Sequence, residues 1–255
     1  MRSWRSIGSI TINFKPWAMT GTIVNAITIV VGSVVGSLAN RGLKDKYKQV
    51  LYTGLGLASF GIGLNAFISY MPKSEYPVLF IASIAIGGVI GTALNLDARF
   101  KHIVEGRSKK KKQMAADADP RSNLAEGLST AILLYCIGPL SMLGPVISAL
   151  NGDNTFLYTN ATLDLVSSFV FATTYGIGMI LAAPVLFIWQ GTFFLIAKIS
   201  SEAVSDSLMA ELLIVGGLLI TCSGLTLLKI KDCKTLNLLP SLLVPVVWYL
   251  LKGLI

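Results

Sequence analysis

The sequence is poor in charged residues and in cysteine, and each shortage excludes a class of protein. Asp, Glu, Lys and Arg make up 13% of the 255 residues, about half of the ~25% usual in soluble domains. With 53% apolar residues and a mean hydropathy of +0.69, the composition excludes a soluble enzyme and a disordered chain. Cys136, Cys222 and Cys233 are too few and too scattered for a secreted disulfide framework, so we expect free thiols.

Residue patterns typical of catalysis are also missing. The single histidine, His102, has no second His and no Cys nearby, so no metal site is expected. There is no Gly-x-Ser-x-Gly elbow, and an intramembrane protease would need two deep carboxylates where Asp164 alone qualifies. The sequence therefore predicts neither an enzyme nor a cofactor.

Long apolar runs are what the chain has instead. A helix needs ~20 residues to cross ~30 Å of hydrocarbon. The stretch 160–197 is too long for one crossing, and Gly176, Gly178 and Pro184 favour a hairpin of two short spans. We predict an all-α, polytopic integral membrane protein of about eight transmembrane helices. The apolar segments are 19–39, 50–70, 77–96, 127–149, 160–177, 180–197, 208–228 and 235–251.

Basic residues give the predicted orientation, because cytoplasmic loops carry an excess of Lys and Arg. With eight spans, loops 40–49, 97–123 and 229–234 share one side and hold 15 of the 21 basic residues. This side is predicted to be cytoplasmic, with both termini outside. The net charge of +8 is then a matter of orientation, and no nucleic-acid partner is expected. A rival threading has a re-entrant 127–149 and a single span over 160–197.

The predicted organisation has four parts. Residues 1–18 are a leader or a misassigned start before Met19, and 19–96 hold the first three spans. The basic loop 97–123 is a solvated cytoplasmic loop or a contact for anionic lipid heads. Residues 124–255 hold the remaining spans, so the main partner is the lipid bilayer.

Glycines suggest both a repeat and packing faces. Gly56-Leu57 and Gly63-Leu64 recur as Gly217-Leu218 and Gly224-Leu225, offset by 161 residues. Spans 1–3 would then correspond to spans 6–8 with inverted topology, as in many transporters. Chance matches of Gly-Leu are the alternative. Close-spaced small residues in spans 1–3, such as Gly32-x-x-x-Gly36 in span 1, predict packing within one bundle or in a homo-oligomer.

Two ionisable residues inside the predicted spans need an explanation. Glu211 lies about one turn inside its span and is expected to reach the interface. Asp164 lies about one turn inside span 5, where it either caps the helix, bonds across helices, or binds a cation or carries a proton. The polar residues expected with it are Ser167 and Ser168 on the same helix face and Thr22 and Asn25 on span 1.

Segment 4 contains Gly138-Pro139 and Gly144-Pro145, so a continuous helix is not expected. Broken membrane helices often line substrate sites, whereas a simple kink is the other interpretation. Ser141 is the polar side chain nearest the break.

Short motifs in order along residues 19–250 resemble the bacterial membrane-protein family called domain of unknown function 554, the YqgA-like proteins. The resemblance implies a multi-pass protein of the bacterial inner membrane, and it implies no established activity. Leu165, where the family has Gly, and the two prolines depart from the pattern. The motifs are Met19-Thr20-Gly21-Thr22-Ile23-Val24-Asn25, Cys136-Ile137-Gly138, Leu163-Asp164 with Ser167, Gly176-Ile177-Gly178, Gln190-Gly191, Gly216-Gly217 and Asn237-Leu238-Leu239-Pro240.

Two functional hypotheses follow. The first is a transporter or channel for an ion or small solute, with Asp164 as the charged ligand or proton carrier. Its site residues would be Thr22, Asn25, Ser141, Asp164, Ser167 and Ser168. The second is a scaffold or signalling partner that acts through loop 97–123 and does not transport.

Overall fold

The computed structural model describes residues 19–39, 44–99, 120–136, 138–201 and 204–254. Within these ranges the regular elements are helices, and no strand occurs. The leader 1–18 and the part of the basic loop from 100 to 119, with His102, lie outside the described residues. The helices are α1 (Thr20–Leu38), α2 (Asp45–Tyr70), α3 (Leu79–Ala93), α4 (Pro120–Cys136), α5 (Pro139–Asn151), α6 (Thr155–Tyr175), α7 (Ala182–Ile199), α8 (Asp206–Leu227), α9 (Thr235–Leu238) and α10 (Leu243–Leu254).

Five of the described helical segments are long and apolar enough to cross a membrane, so the chain is a membrane protein with several apolar helices. Helix α3, at 15 residues, is shorter, and α4 with α5 forms a pair bent by 48°. Helix α6 is long enough but carries many polar residues. The five segments are Thr20–Leu38, Gln49–Lys73, Ile177–Ile199, Asp206–Leu227 and Thr235–Lys252.

Helices α1 and α6 pack side by side and run in the same direction. A methyl group on Gly21 would meet Leu157, near the start of α6, and one on Gly36 would meet Ala172, near its end. The Gly32-x-x-x-Gly36 face predicted for packing is therefore used inside a single chain.

Helices α2 and α8 form an antiparallel pair held together by four glycines. Gly63 meets Gly217 and Thr221, and Gly224 meets the backbone of Gly56 and Phe60. The absence of side chains at these positions lets the two backbones approach closely, as small residues do in membrane helices.

Helix α3 packs against the segment that contains α9. Gly87 contacts Ser241, and Gly91 contacts the backbone of Asn237. Because the numbers rise on one partner as they fall on the other, the two segments are antiparallel. Asn237 Oδ1 also accepts a 2.8 Å hydrogen bond from Asp97 N, just after α3.

The stretch predicted to be a hairpin contains two antiparallel helices, α6 and α7. Gly176 separates them with φ of 80°, a conformation that favours glycine. Helix α5 runs opposite to α6, since Gly144 lies against Leu157 and Ser148 bonds Asn154. It runs parallel to α7, because residues near the end of each helix pack together.

The bent pair α4–α5 extends along the whole of α6. Gly127 of α4 lies against Tyr175, the last residue of α6. At the other end, Ser148 of α5 donates a 2.8 Å hydrogen bond to Asn154 Oδ1, just before α6 begins. The pair is therefore a broken helix that passes from one end of α6 to the other, with its break halfway.

Candidate functional site

Asp164 lies in the middle of α6. It is the tenth of the 21 residues of this helix, and 5% of its surface is exposed. Because α6 begins at Thr155, five residues before the predicted segment 160–177, Asp164 lies further inside its helix than the predicted one turn. The capping role is excluded, since a capping residue flanks the end of a helix.

Two asparagines flank this carboxylate. Asn160, one turn earlier on α6, donates a hydrogen bond from Nδ2 to Asp164 Oδ2 over 2.9 Å. Asn25 of α1 is fully buried and faces Asp164. Neither Nδ2 nor Oδ1 of Asn25 makes a well-formed hydrogen bond to a described residue, although the amide lies close enough to interact with the Asp164 carboxylate. Each buried polar group left this way costs about 1–3 kcal/mol.

The close approach of α1 brings Asn25 to this position. A Cβ on Gly32 would overlap Ser168 Oγ and the carbonyl oxygen of Leu165. A larger residue at position 32 would hold the two helices apart. The packing glycine of α1 therefore also sets the distance between Asn25 and the carboxylate.

The break between α4 and α5 lies next to the same carboxylate. Tyr135 and Cys136, the last residues of α4, are within electrostatic reach of Asp164. Tyr135 is 1% exposed, and its hydroxyl has no hydrogen-bond partner in the described part of the chain. Gly138 is extended, with ψ of 149°, and Pro139 starts the new helix without an amide hydrogen. The observed break supports the broken-helix interpretation of segment 4.

A second polar contact lies in the first turn of α5. Gln190 of α7 donates a hydrogen bond from Nε2 to Ser141 Oγ over 3.2 Å, and both side chains are fully buried. Gln190 Oε1 has no described partner. This pair attaches the start of α5 to the middle of α7.

The six predicted site residues are all buried, and the contacts given by the described residues connect only some of them. Asn25 and Asp164 face each other across α1 and α6, with Thr22 one turn before Asn25 and its Oγ1 unpartnered among the described atoms. Ser168 donates to the carbonyl of Leu165 over 3.0 Å instead of to the carboxylate. The six residues are Thr22, Asn25, Ser141, Asp164, Ser167 and Ser168.

Sequence reasoning missed three polar neighbours of this region. Asn160 stands four residues before Asp164, the spacing that brings side chains together on a helix, so the sequence alone could have predicted this contact. Gln190 belongs to the family motif Gln190-Gly191, yet its pairing with Ser141 depends on how α5 and α7 pack. Tyr135 comes to the site only through the fold.

Glu211 is a second carboxylate buried among the described helices. It is the sixth residue of α8, about one turn inside the helix as predicted, but it is 0% exposed, so its side chain is enclosed by protein instead of extending outward. Glu211 Oε1 accepts hydrogen bonds from Ser74 Oγ at 2.5 Å and from the backbone nitrogen of Tyr76 at 3.2 Å. The carboxylate therefore fastens the loop between α2 and α3 onto α8.

The charge around Asp164 is one-sided. Every lysine and arginine whose side chain the structure describes is exposed to the surroundings, so none of them neutralises this carboxylate. Among the described residues, no group of three His, Cys, Asp or Glu could hold a metal ion. The site thus offers one carboxylate, amides and hydroxyls.

Comparison with known proteins agrees with the motifs. A family model described as "Protein of unknown function (DUF554)" matches residues 20–250. The chain belongs to this family. It is 49% identical over 227 residues to the uncharacterized membrane protein YdfK of Bacillus subtilis, covering 89% of this chain and 94% of that protein.

A more distant relative of this DUF554 protein is the uncharacterized protein YqgA of Escherichia coli. The identity is 26% over 223 residues, which cover 88% of this chain and 93% of YqgA. No solved structure matches the chain. None of these descriptions states an activity, so the functional argument depends on the buried site itself.

Proposed function

We propose that this protein is a transporter or channel that moves an ion or small solute through a site at Asp164. The observation that carries the proposal is a carboxylate at mid-helix, 5% exposed, beside the unpartnered amide of Asn25. Ionisable residues inside the membrane-spanning helices of a protein often mark the pathway of a substrate or an ion. The break after Cys136 brings non-helical backbone to the same level, as in the broken helices of transporters.

The same proposal includes eight crossings of the bacterial cytoplasmic membrane, with both termini outside. The directions of the helix pairs support it, since α2 is antiparallel to α8 and α6 is antiparallel to α7. The bent pair α4–α5 would be one crossing, because it extends along the whole of α6.

An inverted repeat is the second structural part of the proposal. Shifting α1, α2 and α3 by 161 residues brings them onto α7, α8 and the segment that contains α10. The contacts of Gly63 with Thr221 and of Gly224 with Phe60 exchange under this shift. Such a relation between halves supports alternating access around a central site.

The experiment is ligand-induced stabilisation of the detergent-purified protein, measured with Asp164→Asn in parallel. Ligand at 100 times its Kd should stabilise the native state by about 2.7 kcal/mol. A panel of ions, pH values and small metabolites would be compared for wild type, Asp164→Asn and the control Asp206→Asn. Asp206 is exposed in the first turn of α8, so its variant should respond as wild type does.

Flux into liposomes then tests the activity itself. A compound that stabilises wild type should be moved by wild type and by Asp206→Asn, while folded Asp164→Asn should not move it. Normal flux through a folded Asp164→Asn protein would remove Asp164 from the mechanism. If no compound stabilises wild type, deletion of residues 105–119 tests the scaffold hypothesis, because a transporter should tolerate that deletion.

A further inference from the structure

We propose that the ligand of the Asp164 site is a monovalent cation, bound with most of its water removed. This inference rests on the proposed function and names its substrate class. The three side chains to which we assign the contact are Asp164, Asn25 and Thr22. They combine one buried carboxylate with two neutral oxygens that have no described partner.

Charge gives the sign of the ligand. A carboxylate in a membrane interior is costly unless a proton or a cation neutralises it. The described lysines and arginines are all exposed, so none of them supplies that positive charge at Asp164. An anion would meet the carboxylate with no counter-charge and is therefore disfavoured.

The number of carboxylates at the site indicates how much positive charge the ligand carries. Ca²⁺ and Mg²⁺ are hard cations that proteins bind largely through carboxylate oxygens, often with several in one site. The second carboxylate buried among the described helices, Glu211, lies at the loop between α2 and α3, where its Oε1 accepts from Ser74 and Tyr76 and its Oε2 has no described partner. One negative charge at Asp164 matches one positive charge on the ligand.

The neutral groups distinguish a bound cation from a bare proton. Asn25 Oδ1 and Thr22 Oγ1 are oxygens of buried residues with 0% exposure, one turn apart on α1. A proton on Asp164 would give the carboxyl group one O–H donor, enough for Asn25 Oδ1 at most, and would leave Thr22 Oγ1 without a partner. A cation between α1 and α6 would satisfy them together with the carboxylate, which is why the amide lies opposite Asp164.

Asn25→Leu is the variant that separates a ligand role from a structural one. Leucine has the same number and branching of side-chain heavy atoms, and it removes two buried polar atoms that lack a well-formed described hydrogen bond, so their desolvation cost is relieved. The unliganded variant should therefore be at least as stable as wild type. A purely structural Asn25, bonded to Asp164, would instead make the variant less stable in every salt.

The test is the unfolding midpoint of the purified full-length protein in LiCl, NaCl, KCl, NH₄Cl and choline chloride at one ionic strength and pH. Wild type should show a saturable rise with at least one of the four small cations and none with choline. The half-saturating concentration should rise at least tenfold in Asn25→Leu, and Asp164→Asn should show no rise. Asp206→Asn should match wild type.

Three results would overturn the inference. A rise that follows pH and is the same in all five salts would assign a proton. A rise that follows the anion would reverse the sign of the ligand. An Asp164-dependent rise with an uncharged metabolite, and none with a cation, would leave the proposed function standing without this ligand. Failure of every compound in wild type would instead remove the proposed function too.

Discussion

The contact between α2 and α8 can be tested by adding a single methyl group to Gly63. A Cβ there would lie 2.5 Å from the backbone nitrogen of Thr221 and 2.6 Å from the carbonyl oxygen of Gly217. Because ordinary contacts begin at 3.4 Å, the helices would have to separate by about 1 Å. Overpacking of this kind costs about 1–3 kcal/mol, and the higher helix propensity of alanine offsets about 0.5–1 kcal/mol of it.

Gly61 provides the matched control two residues away on the same helix. It is exposed, and a Cβ there meets nothing within 4 Å. Gly61→Ala should therefore stabilise the protein by about 0.5–1 kcal/mol, whereas Gly63→Ala should destabilise it.

Thermal unfolding in detergent measures both changes. For chains of about this size, 1 kcal/mol shifts the midpoint by about 2–4 °C. We expect Gly63→Ala to unfold below wild type and Gly61→Ala at or above it. Equal midpoints for the two variants would refute a direct backbone contact between α2 and α8.

Two further predictions concern the connections between helices. Hydrogen bonds from Ser207 and then Lys252 hold the pKa of Glu75 below its ordinary value, so their stabilisation is complete above about pH 4.3 and is lost as the pH falls through the lowered value. The difference in unfolding midpoint between wild type and Glu75→Gln should shrink as the pH falls from about 5 through the lowered pKa of Glu75, and a constant difference would contradict this. Gly176→Ala should lose about 1–3 kcal/mol, because φ of 80° with ψ of −171° is nearly restricted to glycine. Gly138→Ala, in equally open space with φ of −78°, should unfold close to wild type.

The apolar helices and the break in segment 4 could be predicted from the sequence, because they depend on local composition and on proline. The position of Asp164 along α6 could not be predicted from the sequence. The polar run from Asn154 to Asn160 resembles a loop by hydropathy, yet it is helical where it packs on α1 and α5. Adding this turn to the helix moves Asp164 from near its end to its middle.

The partners of Asp164 show the same limit. A sequence indicates which residues share a helix face, so Ser167 and Ser168 were natural candidates. Ser168 instead donates its hydroxyl hydrogen to the backbone carbonyl of Leu165 on the same helix. The residue that faces the carboxylate is Asn25, because Gly32 lets α1 approach α6. That approach is a tertiary contact and has no local signal.

The four-glycine contact between α2 and α8 has the character of a dimer interface within one chain. Gly63 of α2 meets Thr221 of α8, and Gly224 of α8 meets Phe60 of α2. The contact therefore looks the same from either helix, as in the isologous interfaces of two-fold dimers. Two copies of the segment around α2 could therefore make this contact if they met in opposite orientations. On the proposed inverted repeat, a chain of half this length would insert in both orientations, and joining two halves in one chain would keep each half in a single orientation.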